Sequence, residues 1–163
     1  EKIRVLREHG QERRYFHSNI GWNGRMDGMQ AAALRIKLRF LEQGNASRRR
    51  NAALYSKLLT NTPGVIIPHV ADHGTPVFHL YVIRVKDRDA LLAKLGERGI
   101  ACGIHYPRPV HLQKAYEFLG HAPGSFPIAE RCAAECLSLP MFPELTAAQI
   151  ELVVTELKPL VHA

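Results

Sequence analysis

The chain has 163 residues, of which 46% are hydrophobic and 23% charged, an ordinary globular composition and enough length for one domain. Lys and Arg number 22 against 15 Asp and Glu, a formal net charge of +7, which favours anionic partners (phosphates, nucleotides, nucleic acid or acidic lipid) without choosing among them. Cys102, Cys132 and Cys136 are odd in number and lack C-x-x-C spacing, which argues against a disulfide framework and for a reducing compartment, and no apolar run approaches the length of a membrane span. No signal peptide is visible, but the chain starts at Glu1 inside a helical pattern and reads as a fragment.

In chain order, residues 2–9 read as the end of a helix, with Ile3, Val5 and Leu6 apolar and His9-Gly10 as a basic last turn and glycine stop. Residues 10–24 read as a loop, and its aromatics Tyr15, Phe16 and Trp22 call for cover by protein or ligand. From Arg25 the helical period is strong. Met26, Met29, Ala33, Ile36 and Phe40 form one stripe and Leu34, Leu38 and Leu41 a second, an apolar arc wide enough for more than one contact surface. Gly44-Asn45 is expected to interrupt the helix before a second run from Ser47 to Leu59. Pro63-Gly64 marks a break, and the internal boundary is placed near residues 60–64.

Beyond it the period changes. Val65-Ile66-Ile67 is a short strand candidate, His79–Val85 the best strand, and Ile100–Ile104 a third. Asp87 is expected to cap a helix from Arg88 to Arg98 that stops at Gly99. Residues 105–124 form a Pro- and His-rich loop with a short helix near Leu112–Leu119. Ser125-Phe126-Pro127 opens a helix expected to end near Leu137, and Pro140 and Pro143 enforce a loop. Thr146-x-x-Gln149 is a capping box for a last helix whose inner face is Ile150, Val153, Val154 and Leu157. The outline is α/β: two or more helices, then a small unit with about three strands.

Two polar concentrations carry the candidate chemistry. In Asn19–Arg35, Gly21, Gly24 and Gly28 punctuate a loop that runs straight into a helix, and Asn23, Arg25, Asp27 and Gln30 crowd the junction. A helix start offers free N–H groups to an anion, and Arg25 adds a planar donor fork. In His105–Gln113, a loop after a strand, Tyr and His can bond hydroxyls and phosphates; the alternative is a proline-stiffened turn with solvated histidines.

Nine histidines raise a metal site, but Pro68 and Gly74 keep His69 and His73 from sharing a helix, so none is expected. The cysteines read as buried thiols. Arg48-Arg49-Arg50, near Arg35, Lys37 and Arg39, reads as a solvated face or subunit contact, since nucleic-acid binding needs a recognised fold or stacking aromatics beside the charge. Neither G-x-x-x-x-G-K-[ST] nor G-x-G-x-x-G occurs.

Taken together, LREHGQ with RYFH, GWNGRMDGMQAAAL, RRR-x-A-x-x-Y (Arg48 to Tyr55), FHLYVIRV, RDALLAKLGERGI, GIHYPRPVHLQKAY and SFPIAE followed by LSLPMFPELTAAQI run in one order. This series resembles the C-terminal half of the DegT/DnrJ/StrS aminotransferases, pyridoxal-phosphate enzymes acting on nucleotide-linked keto sugars. Gly44 departs from the pattern, where many members carry a bulky aromatic.

The resemblance implies a fold-type-I enzyme, cytoplasmic and homodimeric when intact. Residues 1–24 are then the tail of the large cofactor domain and an active-site loop, 25–60 connecting helices, and 61–163 the small C-terminal α/β domain. It implies transfer of an amino group, usually from glutamate, to the keto sugar by way of a lysine Schiff base that holds the cofactor. That lysine belongs upstream of Glu1, since Lys2, Lys37, Lys57, Lys86, Lys94, Lys114 and Lys158 do not occupy its motif, so no catalytic residue is assigned in this chain.

Asn23 and Arg25 are implied to reach a partner subunit's cofactor phosphate, and His105, Tyr106 and His111 to face the nucleotide-sugar cleft. The rivals are a pyridoxal-phosphate sugar dehydratase, in which histidine replaces the lysine, a basic non-catalytic module that binds a partner or nucleic acid, and a truncated product with no activity of its own.

Overall fold

Two consecutive residues in the left-handed region, His9 (φ 61°) and Gly10 (φ 73°), stop α1 (Lys2–Arg7). Gly10 is obligatory there, because an added Cβ would fall 1.8 Å from the carbonyl oxygen of Asn19. The following segment, expected to be loop throughout, closes as a small antiparallel hairpin of β1 (Gln11–Arg13) and β2 (Phe16–His17). α2 (Gly28–Lys37) follows, then a 3-10 turn (Leu38–Phe40) and α3 (Leu41–Leu59).

The computed structural model describes residues 1–161, and these divide into two compact units, Glu1–Glu42 and the chain from Gln43 onward. Residues 25–60, expected to form one segment of connecting helices, therefore fall in both units. Within the first unit Gly10 alone is buried, and Met29, Ile36, Leu38 and Phe40 stand exposed, so this unit has no hydrophobic core of its own.

Gly44 does not interrupt the helix. α3 runs through it for 19 residues, and the irregularity falls earlier, at the 3-10 turn. A glycine inside a helix costs about 1 kcal/mol, a penalty easily outweighed by packing where α3 buries Ala52, Tyr55 and Leu59. A Cβ at Gly44 would meet only the Pro143 side chain, at 3.5 Å, an ordinary contact. Gly44→Ala is therefore expected to stabilise the fold by about 0.5–1 kcal/mol, read as a higher urea midpoint at unchanged m-value; a lower midpoint would contradict the packing described.

In the second unit β3 (Tyr81–Arg84) pairs antiparallel with a strand that the sequence reading missed. α4 (Arg88–Glu97) and α5 (Pro127–Glu135) intervene, and β4 (Cys136–Leu139) follows α5 at once, with Tyr81 opposite Leu139 and Arg84 opposite Cys136. The expected strands at 65–67 and 100–104 reduce to single bridges, Ile66 to Arg84 and Gly103 to Ser138, which flank the two full strands.

The helix expected to reach Leu137 ends at Glu135 because the buried guanidinium of Arg88 donates to the carbonyls of Ala133 (3.3 Å) and Cys136 (2.8 Å), closing the last turn from outside. Asp87 precedes α4, but its carboxylate bonds no amide of the first turn; its backbone (φ −98°, ψ 52°) is not the extended form a capping residue takes. The Thr146–Gln149 capping box forms as expected: Thr146 N donates to Gln149 Oε1 (2.9 Å) and Gln149 N to Thr146 Oγ1 (3.3 Å), at the head of α6 (Ala147–Val161).

The core lies between this sheet and its helices, built on Tyr55, Leu95, Leu137, Ile150, Val154 and Leu157. Along β3 only Tyr81 and Ile83 are buried; Val82 and Arg84 point the other way.

Candidate functional site

That other face of the sheet looks into a cavity of about 1040 Å³ within the second unit. Val82, Arg84 and Cys136 come from the sheet, Ala129 and Cys132 from α5, and Ile66 to His69 from the adjoining segment. The loop from His105 to His111 supplies the polar wall, and Tyr116, His121 and Phe126 an aromatic one. Mostly apolar walls with a few converging polar groups are the usual form of a small-molecule site.

His105, Tyr106 and His111 all line this cavity. His105 Nδ1 shares a hydrogen bond with Ser138 Oγ (2.8 Å), which ties the loop to β4. Tyr106, edge-on to the His105 ring at 5.5 Å, is 73% exposed, a large side chain with no cover of its own. His111 is held differently: its side chain is 8% exposed, its ring meets Phe126 at 4.8 Å, and its Nε2 lies 3.0 Å from Glu130 Oε1.

Sequence reasoning missed Glu130, Ser138 and Arg84. Arg84 Nε lies 3.4 Å from Glu135 Oε2, an ion pair without hydrogen-bond alignment, and its Nη1 donates to Cys132 Sγ at 3.4 Å. Glu130 was within reach of the sequence, as the acid of the S-F-P-x-x-E helix start. Its carboxylate accepts from Gly124 N at 2.9 Å on both oxygens and from Phe126 N at 3.2 Å.

The Gly124 amide, then those of Phe126 and the His111 ring, hold the Glu130 carboxyl below its ordinary pKa, against the opposing pull of desolvation. A carboxyl whose pKa is lower folded than unfolded stabilises fully above its unfolded value and loses that contribution as pH falls through the folded one. Acidification below about pH 4 is therefore expected to release the 120–126 turn, seen as lost amide-exchange protection at Gly124 and Phe126. Protection that persists undiminished in strong acid would contradict the clasp.

The thiols are free. Burial pushes Cys102 up to about 11 and Cys136 is buried, so neither is poised as a nucleophile. Among the described residues no group of three His, Cys, Asp or Glu is placed to hold a metal ion.

In the first unit Asn23 and Arg25 are adjacent. Arg25 Nε donates to Asn23 Oδ1 at 3.4 Å, and Nη1 lies 3.3 Å from Glu8 Oε1. The start of α2 is not the open anion site that the sequence suggested. Asp27, the residue before the helix, accepts from Met29 N (2.8 Å) and Gln30 N (3.3 Å), so those amides are already satisfied by a carboxylate. Arg25, 58% exposed, keeps three of its five N–H groups uncommitted among the described residues and fits a phosphate through those.

A sequence model of the DegT/DnrJ/EryC1/StrS aminotransferase family matches residues 1–158. The chain is 45% identical over 159 residues to a "pleiotropic regulatory protein" of Geobacillus stearothermophilus, covering 96% of this chain and 43% of that one. It is 44% identical over 151 residues to the dTDP-3-amino-3,4,6-trideoxy-alpha-D-glucose transaminase of Streptomyces venezuelae, covering 91% of this chain and 39% of that one. The crystal structure of S. venezuelae DesV in complex with a ketimine intermediate superposes with a TM-score of 0.95 at 40% identity, covering 99% of this chain and 44% of that one. The chain thus spans less than half the length of the relatives it matches.

Proposed function

Since this chain belongs to the DegT/DnrJ/EryC1/StrS aminotransferase family, we propose that it is the C-terminal portion of a pyridoxal-phosphate enzyme that moves an amino group, from glutamate, to a nucleotide-linked keto sugar. The observation that carries this reading is the convergence of His105, Tyr106 and His111 on one cavity large enough for a sugar nucleotide. The basic net charge supports an anionic substrate. Relatives named as transaminases, including the S. venezuelae one, favour transfer over dehydration.

In this reading residues 1–24 are the tail of the cofactor domain, 25–60 the connecting helices and 61–163 the substrate-side domain of a cytoplasmic homodimer. Pyridoxal phosphate, when bound, supplies the electron sink for amino transfer. This chain's residues bind and orient. Asn23 and Arg25 would hold the cofactor phosphate from across the dimer interface. Tyr106 and His105 offer hydrogen bonds to the sugar nucleotide, with His105 steadied by Ser138.

The reading also says what the 163 residues cannot do. Supplied with pyridoxal phosphate, glutamate and a dTDP-linked keto sugar, the purified chain is expected to show no turnover and no absorbance band of a lysine-bound cofactor. Full-length protein under the same conditions is expected to show both. Turnover by the chain alone would overturn the assignment of the reactive lysine to the upstream part.

A further inference from the structure

Glu130 does more than close a turn. Three donors from three places converge on its carboxylate: Gly124 N at 2.9 Å, Phe126 N at 3.2 Å and the His111 ring at 3.0 Å. The first two fix the carboxylate against the turn, and the third fixes His111 against the carboxylate. An ionised carboxylate only accepts hydrogen bonds, so the nitrogen facing it must carry a proton. In neutral imidazole one nitrogen carries the proton and the other is a bare acceptor, and the hydrogen bond at one decides the state of the other. Among the described residues Nδ1 of His111 has no hydrogen-bond partner.

We propose that Glu130 is a positioning residue that holds His111 as the tautomer protonated at Nε2, so that Nδ1 stands at the cavity wall as an acceptor for a sugar hydroxyl and not as a donor to a phosphate. The proposal rests on the cavity being the nucleotide-sugar site. It divides the polar wall by chemistry. His111 recognises a donor, and oxygen-rich anionic groups fall to Arg84 and Arg108, which also line the cavity. Phe126 and His121, packed ring to ring at 5.0 Å, continue the wall beside Phe126's contact with His111.

The test uses whole protein with histidine ring nitrogens labelled by 15N, at about pH 8, above the ordinary histidine pKa, and His111 identified by its loss in His111→Gln. Wild type is expected to show a protonated Nε2 and a bare Nδ1 at His111. Glu130→Ala is expected to mix the two tautomers. Glu130→Gln keeps Oε1, which accepts from His111, Phe126 and Gly124, and gives up only the second acceptor of the Gly124 amide at Oε2; it is expected to restore the wild-type tautomer. A proton on Nδ1 in the wild type overturns the proposal.

With a dTDP-linked keto sugar, Glu130→Ala is expected to raise KM about tenfold, with kcat within about twofold, and Glu130→Gln to bring KM back. A fall in kcat without a rise in KM, or no rescue by glutamine, overturns it in favour of a purely structural role. His105→Ala separates the two levels. If it raises KM while Glu130→Ala does not, the proposal fails and the cavity reading stands; if neither raises KM, the cavity reading itself fails.

Discussion

Replacing Tyr55 by alanine is expected to destabilise the second unit by about 3–5 kcal/mol, the range for removing a large buried aromatic ring. Tyr55 has no exposed surface, stacks on Tyr81 with ring centroids 4.9 Å apart, and donates from its hydroxyl to the Pro140 carbonyl at 3.0 Å. One side chain therefore ties α3 to β3 and to the loop after β4. The loss combines the hydrophobic transfer term, the cavity left behind, and an acceptor stripped of its donor. Burial raises the Tyr55 pKa, so the phenol stays a neutral donor throughout the ordinary pH range. Tyr55→Phe isolates the hydroxyl and is expected to cost about 1–3 kcal/mol. Both values are read from urea unfolding at unchanged m-value; a loss under about 1 kcal/mol for alanine would remove Tyr55 from the core described.

Arg88→Met is expected to cost about 3 kcal/mol, since hydrogen bonds from a charged group contribute about 1.5–3 kcal/mol each. Arg88 is a buried cation at the head of α4 whose Nη1 holds two carbonyls where α5 becomes β4. Its Nε pairs with the exposed Asp89 at 2.6 Å, a contact that adds little because one partner is solvated. Methionine keeps the apolar stem as far as the Nε position but removes the donors. Because α5 presents Cys132 and Ala133 to the cavity, the substitution is also expected to loosen that wall, seen as faster alkylation of Cys132 by iodoacetamide. An unchanged unfolding midpoint would show that α5 ends at Glu135 without help from Arg88.

What could be read from the sequence follows the range of the forces involved. The helical runs of α3, α4 and α6 were legible because their apolar period is local, and Thr146-x-x-Gln149 declared its own capping geometry. β4 was not. Cys-Leu-Ser-Leu has no strand signature strong enough to break the helical run before it, and its conformation is set by Arg88, 48 residues before Cys136, and by β3, whose Tyr81 pairs with the distant Leu139. Gly44 was over-read because a local penalty was weighed without the packing that overrides it.

At the candidate sites, the His105–His111 loop was visible as a concentration of polar groups. That His111 is nearly buried and clasped by Glu130 depends on a residue of α5 that lies 19 positions away. Asp27 was within reach, as an acid directly before the helix, yet was read only as one of the polar residues crowding the junction, although its carboxylate serves the helix itself.

The central claim, that the cavity walled by His105, Tyr106 and His111 holds the nucleotide-linked sugar, is tested most directly by a crystal structure of the full-length protein soaked with a dTDP-linked amino sugar product. Ligand density is expected inside this cavity, within hydrogen-bonding distance of Tyr106 and of the His111 Nδ1. Ordered ligand bound elsewhere, with the cavity filled by protein side chains, would contradict it.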